Sequence, residues 1–218
     1  MRKRLVIALT LLFLFTSYKP QKLSLSPQFH VKKIIIENNF ILQDEEIKKD
    51  LTYLFNESLF FLDTSIIKKI LVEKSFIESF EIKKIYPNKL NIKIFEKQPI
   101  AILHYKKEKF YISKNGELIN YLYLENYNNL PTVFGNKENF NRFYNELKLI
   151  KFPIEQIKKF YSFESKRWDL LTNKDQTIKL PTKNYIKSLE NFMNLKKKNN
   201  FDKYKVFDYR INNQLILK

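Results

Sequence analysis

Between Pro87 and Pro99, Leu90, Ile92 and Ile94 alternate with Asn91, Lys93 and Phe95. A period of two is the pattern of a strand with one face in a core. Pro87 suits the turn that opens this strand, whereas Pro99 has no N–H to give a ladder and so marks an edge or a break. The stretch therefore ends one sheet and begins another, a seam between two domains. Upstream, residues 29–38 (FHVKKIIIEN) are rich in β-branched side chains and predict a strand. Residues 43–55 (QDEEIKKDLTYLF) carry acids in the first turn and then Ile47, Leu51 and Leu54 at spacings of four and three. That is an amphipathic helix whose charges suit its dipole. A second helix follows over TSIIKKILVEKS, bearing Ile66, Ile67, Ile70 and Leu71, with Asp63 or Thr64 as its cap. Residues 76–85 and 89–97 are two strands joined at Tyr86-Pro87-Asn88. The order is β-α-α-β-β.

Beyond Pro99 the texture changes to short strands and tight turns: IAILHY, KFYIS and ELINYLY, separated by Lys106-Lys107-Glu108 and Lys114-Asn115-Gly116. NKENFNRFYNELKLIK then lines Phe140, Phe143, Tyr144 and Leu147 along one helical face. KRWDLLT, the turn NKDQ and TIKL predict a hairpin. TKNYIKSLENFMNLKKK predicts another helix, with Ile186, Leu189 and Met193 on one side and lysines at its C-terminal end. KVFDYRI, Asn212-Asn213 and QLILK close the chain.

The first residues have a different character. MRKR precedes an uncharged apolar run from Leu5 to Tyr18, and the positive-inside rule then puts the N-terminus in the cytoplasm and the rest across the membrane. About 14 residues at ~1.5 Å each give roughly 21 Å of helix against a hydrocarbon core of ~30 Å. That length suits the apolar region of a signal peptide as well as an anchor. FTSYKPQ puts Tyr18 and Lys19 where a cleavage site needs small residues, and snorkelling by Arg4 and Lys19 lengthens the span. The expectation is a retained signal anchor followed by a polar linker.

Composition adds a packed core, with 44% hydrophobic and 16% aromatic residues. The absence of cysteine removes disulfides, thiol nucleophiles and cysteine-bound metals. A formal charge of +17 invites a nucleic-acid reading. The abundant residues, Lys, Asn, Ile, Phe and Tyr, share A/T-rich codons, and the charge is spread along the chain. Pairs such as Lys32-Lys33, Lys48-Lys49 and Lys83-Lys84 therefore predict solvated faces, and no nucleic-acid partner is expected.

No catalytic arrangement is visible. Gly116 and Gly135, the only glycines, cannot build a phosphate loop. His30 and His104 stand alone, without metal-ligand spacing. Asp44-Glu45-Glu46 is the first turn of a helix, and Trp168, the one tryptophan, is a core anchor of the second sheet. No enzyme, cofactor or metal is expected.

FIESFEIKKIYPNKLNIKIFEKQPIAIL resembles the end of the POTRA domain in the bacterial cell-division proteins FtsQ and DivIB. Phe76, Ile77, Phe80, Ile82, Pro87, Leu90, Ile92, Ile94, Glu96, Pro99 and Ala101 take the matching places. Downstream, FYISKNGELI, NLPTVFG, KRWDLLTNKDQTIKL and FDYR are similar to further motifs of the family, in the same order. The chain departs from the pattern at Asn38, where the family usually has Gly, and at Lys97, where it has Arg. Asn tolerates the left-handed conformation, while Lys loses bidentate pairing. The anchor is shorter than the family's, and no extended C-terminal tail follows.

The resemblance implies an α+β fold: a single N-terminal transmembrane helix, a β-α-α-β-β POTRA domain, and a mixed β-sheet domain with two helices. The boundaries would be a cytoplasmic tip at 1–4, the signal anchor at 5–18, a linker at 19–28, the POTRA domain at 29–98 and the β domain at 99–218. Asn38, Pro87, Leu90, Ile92, Glu96, Pro99 and Trp168 would be structural. The implied function is a non-enzymatic scaffold at the inner membrane and division septum, with its C-terminus periplasmic, linking FtsB- and FtsL-like proteins and other septal membrane proteins. Partner contacts would fall on Tyr209, Arg210, Ile211, Asn212 and Asn213, while Val206, Tyr209 and Leu215 also suit the closing of the β-domain core. Two alternatives are a POTRA-containing periplasmic assembly or chaperone-like factor, which would precede a long barrel, and a basic nucleic-acid-binding protein.

Overall fold

The computed structural model describes residues 2–17, 27–135, 137, 140–198, 201–211 and 214–218. The chain divides into two compact units, Met1–Leu71 with Phe80–Ile94, and Val72–Ser79 with Phe95–Lys218. Helix α1 spans Arg2–Ser17. Its 16 residues give roughly 24 Å at ~1.5 Å each. No described helix is long and apolar enough to cross a membrane, so the structure does not show the anchor expected over 5–18. Tyr18 and residues 19–26 of the expected linker lie outside the described residues, and Pro27–Phe29 forms a 3₁₀ turn.

A three-stranded sheet has the order β1-β3-β2, from β1 (Lys33–Glu37), β2 (Ile77–Ile85) and β3 (Lys89–Glu96). Strands β1 and β3 run parallel, with Ile34 opposite Leu90 and Ile36 opposite Ile92. All four are buried beside Ile47, Leu51, Leu54, Ile67 and Leu71 from the helices. Parallel neighbours need a long crossover, and α2 (Asp44–Asp50) with α3 (Thr64–Glu73) supplies it. The helix expected over 43–55 is split, because α2 gives way to a 3₁₀ turn at Thr52–Leu54. Thr52 turns its Oγ1 back to the Lys49 carbonyl at 3.0 Å. Residues three apart eclipse in 3₁₀ geometry, so Leu51 and Leu54 still share the buried face. Asp63 rather than Thr64 caps α3, its Oδ1 accepting the Ser65 N–H at 2.8 Å.

Asn38 closes β1 with φ 64, and its side-chain amide donates to the Ile94 carbonyl at 2.8 Å. Pro87 sits in the turn between β2 and β3, and Glu96 is the last residue of β3. Three residues later Pro99 begins the next strand, the position at which a missing N–H costs a ladder least.

The second sheet has nine strands in the order β12-β11-β10-β9-β8-β7-β4-β5-β6. Its members are β4 (Pro99–Tyr105), β5 (Glu108–Ser113), β6 (Leu118–Asn120), β7 (Thr132–Phe134), β8 (Ile157–Ser162), β9 (Trp168–Thr172), β10 (Thr177–Lys179), β11 (Val206–Asp208) and β12 (Ile216–Leu217). Helix α4 (Phe140–Leu149) carries the chain from β7 to its parallel neighbour β8, and α5 (Tyr185–Lys196) does the same from β10 to β11. Both helices press into one core. Phe140, Phe143 and Leu147 of α4 and Leu189 and Phe192 of α5 meet Val133, Phe160, Trp168, Leu170, Ile178 and Phe207 of the sheet. Trp168 stacks on Phe143 with centroids 4.9 Å apart and planes 4° from parallel. Tyr185 donates its hydroxyl to Glu146, tying α5 to α4. The buried face of α5 thus falls on Leu189 and Phe192. The expected Ile186 and Met193 flank it.

Segments of the earlier strands belong to this second unit. The Lys97 N–H donates to the Phe76 carbonyl at 2.7 Å, and Phe76 meets Tyr111 edge-on at 6.1 Å. The Lys97 ammonium pairs with Glu117 at 2.6 Å, a single-point contact in place of a guanidinium fork.

Ile92 is fully buried, so Ile92→Asp puts an unpaired carboxylate among apolar side chains. The expected cost is several kcal/mol, on the order of the whole stability of a small domain. Lys93→Asp, on the opposite face of β3, should cost far less. Thermal unfolding of the two variants checks this, and equal melting temperatures would put the strand in the other phase.

Candidate partner-binding site

The C-terminal end of the nine-stranded sheet is built by the crossover through α5. Strand β11 lies parallel to β10, with Ile178 opposite Phe207 and Lys179 opposite Asp208. Phe207 is wholly buried and meets Phe192 of α5 edge-on, with centroids 4.9 Å apart. The chain then turns back, and β12 pairs antiparallel on the outer side of β11, Phe207 facing Leu217 and Asp208 facing Ile216. Lys218 continues the ladder, its N–H reaching the Val206 carbonyl at 3.1 Å and its carbonyl accepting the Val206 N–H at 3.0 Å. Antiparallel alternation then turns the Leu217 N–H and C=O away from β11, toward the open side. Strand β12 is one edge of the sheet, and β6 is the other.

The residues expected to contact a partner fall into three groups. Tyr209 is buried: its N–H donates to the Lys179 carbonyl at 2.9 Å and its hydroxyl to Asn191 Oδ1 at 3.0 Å. Burial raises its phenol far above the usual range. Its ring closes the core and offers a partner little surface. Arg210 is half exposed and turned back on Asp208, with Nε 2.8 Å from Oδ1 and Nη2 2.6 Å from Oδ2. That fork fixes its plane and one face of its charge. Ile211 is 52% exposed. Asn212 and Asn213 lie outside the described residues.

Ile211 borders a groove of about 260 Å³. Tyr209, Gln214 and Leu215 line one side, and Pro181, Lys183, Asn184, Lys187, Ser188 and Asn191 the other. Sequence reasoning missed the second side. Lys187 and Asn191 are four apart on α5 and form a polar helical stripe, a pattern shared by every solvated helix, while Lys183 lies just before the helix, ahead of its left-handed N-cap Asn184. Only the return of the chain after β11 makes it a wall. An apolar lip with two lysines opposite can hold an extended segment carrying an apolar and an acidic side chain.

Two buried carboxylates stand behind the groove, in register across β9, β10 and β11 as Asp169, Lys179 and Asp208. The Arg210 fork holds the Asp208 carboxyl below its ordinary value of 3.8, against the smaller opposing effect of burial. Asp169 moves the other way. Burial raises its carboxyl although Arg167, with Nε 3.3 Å away, Lys179 and Arg210 all pull it down. Among the described residues, no group of three or more metal-ligating side chains converges.

A family model described as "POTRA domain, FtsQ-type" matches residues 29–97, and one described as "Cell division protein FtsQ/DivIB, C-terminal" matches residues 101–210. The cell division protein FtsQ of Rickettsia bellii (strain RML369-C) is 28% identical over 190 residues, covering 85% of this chain and 71% of that protein. The cell division protein FtsQ of Agrobacterium fabrum (strain C58) is 24% identical over 164 residues, covering 74% and 52%. The solved major extracytoplasmic domain of the cell division protein DivIB from Geobacillus stearothermophilus, in its trans isomer, is 13% identical and overlaps 45% of this chain and 89% of that one, with a TM-score of 0.30.

The opposite shifts of the two carboxylates give opposite effects of pH. A carboxyl lowered in the folded state adds stability above its unfolded value, and that stability is lost as pH falls through the folded value. A raised carboxyl adds stability below its unfolded value and loses it as pH rises through the folded one. Asp208→Asn should therefore lower the melting temperature at pH 7, by the equivalent of about 1 kcal/mol because Arg210 is half solvated. It should also flatten the loss of stability on acidification. Asp169→Asn should raise the melting temperature at pH 7. Thermal unfolding from pH 3 to pH 7 checks both signs.

Proposed function

The chain belongs to the FtsQ/DivIB family of cell division proteins, and on that premise we propose that it is a non-enzymatic scaffold of the divisome, linking FtsB- and FtsL-like proteins and other septal membrane proteins. The observation that carries this reading is the edge strand β12 beside the Ile211 groove. An open edge accepts an added strand, whose main-chain hydrogen bonds give affinity while neighbouring pockets sort side chains. The outward N–H and C=O of Leu217 would begin that ladder. Ile211 would be the apolar anchor. Lys183 and Lys187 would draw an acidic flank and act mainly on the association rate. Of the five residues in the expected patch, Arg210 and Ile211 would touch the partner, and Tyr209 would brace them from below.

In the same reading, residues 1–4 are a cytoplasmic tip, 5–18 the anchor in the inner membrane, 19–28 a linker, 29–98 a POTRA domain and 99–218 the β domain, both domains periplasmic. The hydroxyls of α1 favour this placement. Thr10 Oγ1 donates to the Val6 carbonyl and Thr16 Oγ1 to that of Leu12, each at 2.8 Å. Hydroxyls satisfied within their own helix remove much of the cost of carrying them into lipid.

Ile211→Glu should keep the fold, since the side chain stands in solvent, and weaken binding of an FtsB-like periplasmic peptide by ~1–3 kcal/mol, the range of a moderate hot spot. Titration calorimetry measures the binding, with circular dichroism as the folding control. A variant that binds as tightly as the wild type would move the partner elsewhere.

A further inference from the structure

Three segments meet at the end of the first unit where the chain enters after residue 26. The Leu59 N–H donates to the Phe29 carbonyl at 2.9 Å, the Val31 N–H to that of Glu57 at 2.9 Å, and the Lys32 N–H to that of Asn88 at 2.9 Å. These bonds gather the start of β1, the 56–62 loop and the 86–88 turn. They also gather aromatic rings that the core does not absorb. Phe60 lies between Phe29 and Tyr86, with centroids 5.0 and 4.7 Å away. Phe60 and Tyr86 are half exposed, and the neighbouring Phe61 is 73% exposed.

Lysines belong to the same segments or the strands that adjoin them. Lys84 reaches across to the carbonyls of Phe60 and Leu62 at 3.3 and 3.0 Å, fixing the loop that carries Phe60 and Phe61. Lys33 pairs with Lys89 across β1 and β3, and Lys32 precedes it; all three are exposed. Of the acids on the loop, Asp63 is turned back onto Ser65, which leaves Glu57 against four lysines. Exposed aromatic rings on lysine-bearing segments are the chemistry of a surface that sits in a membrane interface, with rings at head-group depth and ammonium groups on anionic lipid.

We propose that this end of the first unit, Phe29, Phe60, Phe61 and Tyr86 with their lysines, docks on the surface of an anionic bilayer. The proposal rests on the reading of α1 as the anchor. The chain path supports it: ten residue steps separate Ser17 from Pro27, and a fully extended chain covers at most about 35 Å in that distance. The surface is thus tethered within reach of the head groups. Docking there would hold the first unit against the bilayer and leave its other end to partners.

The absence of cysteine makes the test direct. Phe61→Cys in the full chain carries an environment-sensitive fluorophore, and Phe40→Cys, past the far end of β1, carries the same label as the reference. Both are reconstituted into phosphatidylglycerol-containing vesicles that also hold lipid-attached quenchers, and flotation shows whether the chain is bound. The expected result is a blue shift at position 61 and several-fold stronger quenching than at position 40. Lys32→Gln with Lys33→Gln should reduce the difference. A chain that floats while both probes report water overturns the docking and leaves the anchor standing. A chain that does not float overturns both.

Discussion

The parallel pairing of β10 with β11 is the constraint on which the second half of the molecule depends. Two adjacent parallel strands cannot be joined by a tight turn, so the chain leaves β10, packs α5 across the sheet and returns. Phe192 and Leu189 hold that helix down, and Phe207 beneath it fixes where β11 must lie. Everything beyond residue 208 follows. Tyr209 is pulled into the core, Arg210 folds back on Asp208, and Ile211 is left at the surface beside the start of α5.

The same device occurs once more, from β7 through α4 to β8. Two crossovers on one face explain why Phe143, Phe160 and Trp168 form a single aromatic layer rather than two separate patches. Asp169 and Asp208 alternate with Trp168, Leu170 and Phe207 along their strands and so lie on the other face of the sheet, where each holds charge at a cost that differs with the partner it finds.

The sequence made the alternating strands and the amphipathic helices legible. The phase of Leu90, Ile92 and Ile94 and the buried face of α4 are those seen in the structure. Strand β8 was not legible, for a local reason. Its register shifts between Ile157 and Lys159, so Ile157 and Phe160 both face the core three residues apart, a spacing that imitates a helix. Strands β7 and β11, with three residues each, are too short for periodicity and exist because neighbours pair with them, whereas the equally short β10 is marked by the NKDQ turn of the expected hairpin with β9. Scarcity of glycine hid several turns, although those at Asn38, Lys106 and Asp175 fall where the sequence predicts them. Asn38, Asn56, Lys106, Lys151, Lys166, Asp175 and Asn184 all hold positive φ, a conformation usually marked by glycine. Of the candidate site, the chain's closing residues could be named in advance, but Lys183 and Lys187 could not, since their approach is set by the path of α5.

The central claim is that the second sheet is extended at β12 and not at its other edge, β6. Amide hydrogen exchange of the full chain, with and without an FtsB-like periplasmic peptide, tests it most directly. The account predicts that residues 214–218 become protected on binding while 118–120 exchange as before. Protection confined to 118–120, or none at 214–218 under saturating peptide, would contradict it.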